Sequence, residues 1–263
     1  MYASENNSWM ISRSGTSTIV WTNGQMTGSG PPAGSTPDMT ANWIAWQYVI
    51  DPYSGAASGF PKGDQNLTYS GIAKYLAIPY TQSSATPGSS GLPLSNDVNA
   101  QYAKVFTCPG DDVQQRPKTI IGLPPYKNYY YSYSLNDWVS LPVRAVVSGS
   151  PANVRSWGTF SGKISSIRNS ADIVMFACED SQTIDDGVLK LDASQWAGGV
   201  VNTVSTRHYG VNAATANASQ GTTVNQDGYG NASFCDGHAE VISRKDVLRS
   251  RHSGNPNADP AGF

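Results

Sequence analysis

From Ala232 to Ser243 the chain reads as a β-hairpin. Ser233-Phe234-Cys235 and Ala239-Glu240-Val241-Ile242 are strand-type runs, and Asp236-Gly237 between them supplies the positive backbone angles of a tight turn. Three more β-type segments stand upstream, Lys104 to Cys108, Asn128 to Leu135 and Asp172 to Cys178. Together the four predict an antiparallel sheet in the second half of the chain.

The first hundred residues have a different character. Residues 1–12 read as the end of a helix followed by an exit, because Asn6, Asn7 and Ser8 favour caps and turns over helix interiors. Residues 13–42 are rich in Gly, Ser, Thr and Pro and predict a long surface loop, with Trp21 as its anchor. Ala41 to Val49, with Trp43, Ile44, Trp46, Tyr48 and Val49, suits a buried strand or a short helix, and periodicity does not separate the two. Ser70 to Ala77 predicts a short amphipathic helix that stops before Pro79, and a polar loop follows over Thr81 to Asn99. Beyond the hairpin, Ser243 to Arg251 predicts a short terminal helix, and Ser253 to Phe263 a tail.

A chain of 263 residues and 28.0 kDa can bury a sizeable core, and one domain with long insertions, residues 13–252, is the favoured division, with 253–263 as the tail. Charged residues make up 14%, against about 25% in average usage, which resembles the surface of an exported protein. A net charge of −2, with no run of Lys and Arg among stacking aromatics, argues against nucleic acid as a partner. The longest strongly apolar segment, Ala171 to Cys178, is far short of the roughly 18 residues that a membrane helix needs. The polar start at Met1 is not a signal peptide, so an export address is expected upstream of it. Cys108, Cys178 and Cys235 form neither a zinc spacing nor a Cys-x-x-Cys pair, and an odd number cannot all pair internally.

Several segments, in order, resemble the prepilin-like (pseudopilin) family with a C-terminal His-x(n)-Asp-Gly motif, of planctomycete and verrucomicrobial type. Tyr2-Ala3-Ser4-Glu5-Asn6-Asn7-Ser8-Trp9 looks like the end of that family's N-terminal helix. Val105-Phe106-Thr107-Cys108-Pro109-Gly110-Asp111 is similar to its apolar-x-Cys-Pro segment, and Tyr131-Ser132-Tyr133-Ser134-Leu135-Asn136 to the Ser-Tyr-x-x-Asn segment after it. Lys163-Ile164-Ser165-Ser166-Ile167, then Ile173-Val174-Met175-Phe176 and Glu179, resembles the next block, with Asn169-Ser170 where Pro-Ser often stands. The signature element is carried by Arg207, His208, Asp236, Gly237 and His238. In it, 27 residues separate His208 from Asp236 where about nine are usual, and Tyr209 to Ser233 is read as a surface insertion.

The resemblance implies an α+β fold, a pilin-like head in which the N-terminal helix remnant packs on an antiparallel sheet with long polar loops. It implies a full-length protein with a cleavable leader and a hydrophobic helix, membrane-anchored before assembly and then displayed at the cell surface, in the periplasm or outside the cell. Its partners would be copies of itself, other pilin-like subunits and the inner-membrane secretion or pilus assembly machinery. Its role would be that of a non-catalytic subunit of a type II secretion or type IV pilus-like filament. The contrasting reading is a secreted glycan-binding or glycan-processing protein, for which Tyr129, Tyr130, Tyr131 and Tyr133 offer stacking rings and polysaccharide is the partner.

Chemistry is weighed against simpler roles. His208, His238, Asp236 and Glu179 are residue types that serve metal or acid-base sites. Backbone geometry already explains Asp236-Gly237, and Arg207-His208 suits hydrogen bonds to the turn or the neighbouring strand. No Gly-x-Ser-x-Gly elbow is present, so no hydrolase is expected; no cofactor is expected either, unless calcium. Asn225, Asp227 and Asn231 alternate as oxygen donors do in calcium loops, but the closing Glu is missing and a Gly-Asn turn explains the pattern as well. Cys108 and Cys178, at ends of predicted strands, are a candidate disulfide, with buried apolar filler as the other reading. The family resemblance implies a third: related sequences carry a cysteine in the N-terminal helix, so that Cys108 has lost its partner here.

Overall fold

In the computed structural model the described residues are 20–22, 25–27, 39–40, 43, 70–77, 104–111, 131–140, 163–180, 183–184, 187–193, 202–208, 228–255, 259–260 and 263. The chain separates into two units. The first takes Met1–Phe106, Lys118–Tyr130 and Leu141–Ser156; the second takes Thr107–Pro117, Tyr131–Ser140 and Trp157–Phe263. Residues 1–12, where a helix end is expected, lie outside the described residues, as do Thr81 to Asn99, Asn225 and Asp227.

The first unit contains a small antiparallel sheet of β1 (Val20–Thr22), β2 (Gln25–Thr27) and β3 (Met39–Thr40), in the order β2-β1-β3. This corrects the expectation of an unbroken loop over 13–42. β1 and β2 pair with Thr22 opposite Gln25, and the two residues between them in sequence are Asn23-Gly24, the dipeptide that favours a two-residue hairpin. That signal outweighs the loop-like composition around it. Trp43 is buried, its ring 5.5 Å from that of Phe106, and its carbonyl accepts from the Ser70 hydroxyl. The helix expected at 70–77 is a 3-10 helix over Ala73–Leu76. Lys104 to Phe106, expected to open a strand, are helical instead; a run that short carries no period by which to tell the two apart.

The second unit is built on a five-stranded sheet of β4 (Tyr133–Asn136), β5 (Val174–Cys178), β6 (Val188–Leu189), β7 (Tyr229–Phe234) and β8 (Ala239–Ser243), in the order β6-β4-β5-β7-β8. The apolar run Val174-Met175-Phe176-Ala177-Cys178 takes the centre, as a strand covered on both sides must. β7 and β8 form the expected hairpin, in register from Tyr229 opposite Ser243 to Ser233 opposite Ala239. At the tip Gly237 has φ +98, and nothing among the described residues lies within 4 Å of the place a side chain would take. Backbone angle alone therefore selects glycine here.

Two expectations fail in this unit. The sheet is mixed, because β6 runs parallel to β4, with Leu135 N–H donating to Gly187 O at 3.0 Å and Asp137 N–H to Leu189 O at 3.1 Å. Strand direction depends on how the chain returns to the sheet, which side-chain alternation does not encode. Secondly, Tyr229 to Ser233 belong to β7 and not to a surface insertion. Gly230 is in fact pressed against the 202–208 segment, where an added Cβ would sit 2.5 Å from Ser205 O and 2.9 Å from Val204 Cβ.

The core lies on this sheet and joins Trp138, Val174, Leu189, Leu191, Val204, Phe234, Ile242, Val247 and Leu248. Val247 and Leu248 come from a 3-10 helix, Asp246–Leu248, that runs into α1 (Ser250–Ser253), the expected short terminal helix. Each contributes about 1.5–3 kcal/mol through burial. Asn136 clamps the end of the chain to the sheet, donating to Val174 O at 2.8 Å and Ser253 O at 2.9 Å. A mixed sheet with short helices makes the second unit α+β.

Candidate functional site

β5 ends in Cys178, and the next residue, Glu179, pairs with Val204 in an isolated antiparallel bridge. Ser205 N–H donates to Cys178 O at 2.6 Å and Asp180 N–H to Thr203 O at 2.9 Å, so residues 202–208 run alongside the end of the central strand. The third piece is the turn Cys108-Pro109-Gly110-Asp111, closed by Asp111 N–H on Cys108 O at 2.9 Å. Proline has no N–H to give a ladder and suits a turn, in keeping with a turn at Cys108 where a strand end was expected.

These three pieces bring together residues far apart in sequence. Cys108 Sγ lies 2.9 Å from His208 Nε2, and one donor atom each from Cys108, Cys178 and His208 falls within 4.8 Å of the others. Both cysteines are buried and carry free thiols. Arg207 fastens the pieces: its guanidinium donates to Cys178 Sγ at 2.6 Å and to Glu179 O at 3.0 Å, and stands 3.4 Å from Asp111 Oδ1. Asp111 also accepts from Ser132 Oγ at 2.5 Å. Gly110 lies flat against the imidazole, where an added Cβ would meet His208 Cε1 at 3.3 Å.

The two thiols titrate in opposite directions. The hydrogen bond from Cys178 holds the Cys108 thiol down at about 5 against its burial, helped by the Gly110 backbone, His208 and Arg207. Cys178, as the partner that keeps its proton, is pushed up by that same bond and then by burial. Tyr133 is pushed up to about 12 by burial first and then by the negative charge of Cys108. Deeper in, the buried Glu179 carboxylate accepts from Ser134 Oγ, from Thr183 Oγ1 at 3.0 Å and from Asn202 Nδ2 at 2.7 Å. A carboxylate enclosed by donors in this way ties strands together.

No family model, no curated protein and no solved structure matches the chain.

The signature element splits into two places. Arg207 and His208 sit at the end of β5, whereas Asp236, Gly237 and His238 form the hairpin tip beside its start, with Cys235 N–H on Ile173 O at 2.9 Å and Asp236 N–H on Ser170 O at 3.2 Å. A five-residue strand puts roughly 13 Å between those ends. Of the two partners expected for Arg207-His208, Arg207 takes the neighbouring strand. At the tip, Asp236 Oδ1 accepts from the His238 backbone at 3.1 Å and lies 2.6 Å from its Nδ1. The His238 backbone bond, then its side chain, holds the exposed Asp236 carboxyl below its usual range.

The remaining sequence candidates fall elsewhere. Asn231 is an ordinary member of β7, opposite Val241, while its calcium companions Asn225 and Asp227 lie outside the described residues. Cys235 is buried with Val139 and Ile173, and burial pushes its thiol up to about 12. Tyr131 is interior and Tyr133 is partly covered beside Cys108; Tyr129 and Tyr130 lie outside the described residues. The union of Cys108, Cys178 and His208 is absent from the sequence reading, which weighs the cysteines as a pair and the histidine separately. No local spacing links three ligands from three segments.

Proposed function

We propose that the chain is a non-catalytic pilin- or pseudopilin-like subunit of a type II secretion or type IV pilus-like surface filament, with residues 13–252 as its exported head. The observation that supports this reading is the place of the residues on which the family resemblance rests. Arg207 links the Cys108–Asp111 turn to the end of β5, Glu179 is tied to Ser134, and Asn136 pins the terminal helix. These residues act as joints of a small domain, as expected where a motif specifies a scaffold. The proposed partners are further copies or other pilin-like subunits and the inner-membrane assembly machinery, engaged through a hydrophobic helix preceding residue 1.

The test is the genomic sequence upstream of Met1, together with electron microscopy of the cell surface. A short basic leader, a helix of about 20 apolar residues and filaments labelled by antibody to this chain are expected. An ordinary cleaved signal peptide, with a monomer that binds polysaccharide, would replace the reading with the glycan-binding one.

A further inference from the structure

We propose that Cys108, Cys178 and His208 form a binding site for one thiophilic d10 cation, zinc(II) or copper(I). Two thiolates and an imidazole are the donor set those ions select, and harder cations such as calcium and magnesium avoid it. The three donor atoms lie within 4.8 Å of one another. Around a tetrahedral ion with bonds of about 2.3 Å to sulfur and about 2.0–2.1 Å to nitrogen, donor atoms stand roughly 3.5–3.8 Å apart. The 2.9 Å contact between Cys108 Sγ and His208 Nε2 therefore has to open by roughly 0.6 Å, which rotation of the Cys108 side chain supplies.

The surroundings suit a cation. With both thiols ionised, the charges of Arg207 and Asp111 offset each other and a divalent ion balances the two thiolates; copper(I) leaves one negative charge. Arg207 already donates to Cys178 Sγ, the kind of outer hydrogen bond that orients a thiolate ligand. Gly110 packs on the imidazole and limits its rotation. Backbone bonds join 178–180 to 203–205, a turn bond closes 108–111 on itself, and the Arg207–Asp111 ion pair ties that turn to the other two segments. Three protein donors complete a trigonal copper(I) site, or leave a zinc ion one further position. The site does not depend on the filament reading, since a monomeric glycan-binding protein with these residues would hold the same ion.

The experiment uses the full chain, reduced and stripped of metal. Cobalt(II), the optical stand-in for zinc, is expected to give thiolate-to-metal charge-transfer absorption at one equivalent and to be displaced by zinc. Titration against chromophoric chelators for zinc and for copper(I) then assigns the ion. Cys108→Ser, Cys178→Ser and His208→Ala should each weaken binding by more than the roughly 10–100-fold typical of losing an outer-shell partner, whereas Cys235→Ser should not change it. Because a variant can fail to fold, the wild-type chain carries an independent readout. Zinc or copper(I) should slow alkylation of Cys108 and Cys178, located by mass spectrometry, and leave the rate at Cys235 unchanged. Three results would overturn the proposal: no charge transfer and no protection; binding retained by the Cys108→Ser/Cys178→Ser double variant; or a Cys108–Cys178 disulfide whose reduced form takes up neither ion.

Discussion

The two ends of β5 each place a histidine among polar partners, and they behave as opposites. At the far end His208 is locked among Cys108, Gly110 and Arg207, within a network whose cysteines, arginine and glutamate are buried or nearly so. At the near end His238 lies exposed at the hairpin tip, stacked on Phe234 with 4.3 Å between centroids and paired with Asp236. One end depends on long-range partners in a largely buried site, where losing a partner strands a polar group. The other depends on local turn geometry, with water ready to replace anything lost.

Mutations should separate the ends by size of effect. Arg207→Leu removes the donor shared by Cys178, Glu179 O and Asp111, and should destabilise the second unit by about 3 kcal/mol, measured by urea unfolding; a loss below about 1 kcal/mol would put this end on a par with a surface ion pair. Glu179→Gln keeps the shape but gives up charge-assisted bonds. A loss of about 1.5–3 kcal/mol in the same assay is expected.

Smaller effects are expected from the two turns. Gly110→Ala puts a methyl group 3.3 Å from His208 Cε1, at a cost of about 1–2 kcal/mol and with a shifted His208 ring resonance in NMR spectra. Gly237→Ala meets no neighbour among the described residues and pays only for its φ of +98, about 1 kcal/mol, leaving the β7–β8 register unchanged in cross-strand NOEs. If Gly237→Ala proves the costlier of the two, the contrast between the ends fails.

The smallest effect belongs to pH at the tip. The Asp236 carboxyl is depressed, so the stability it adds is present above its ordinary value of 3.8 and is lost as pH falls through the depressed one. His238→Ala should move the Asp236 midpoint upward in an NMR titration, but only part of the way, because the backbone N–H that is its leading cause stays. An unchanged midpoint would reduce the Asp236–His238 pair to a neutral turn.

What could be read in advance follows the range of the interactions. The hairpin at Asp236-Gly237, the central strand ending at Cys178 and the short helix after Ser243 each announce themselves through two-residue alternation, turn chemistry or capping within a few residues. Asn23-Gly24 carried a local signal of equal quality, but the Gly- and Pro-rich composition around it obscured that signal. The joining of Cys108 and Cys178 to His208 was not legible as a unit. It required the 202–208 segment to return along β5 and the Cys-Pro-Gly-Asp turn to face it.

By itself, then, the sequence determined the pieces whose conformation follows from their own residues: β5, the β7–β8 hairpin with its glycine tip, and the terminal helix. Only the tertiary structure decided that β6 joins parallel, that Tyr229 to Ser233 belong to the sheet, and that Arg207-His208 serves the cysteine end of β5 instead of the Asp-Gly tip. The physical reason is that backbone angles and periodicity are set by near neighbours. Strand direction and buried polar partnerships are set by which distant segments exclude water together.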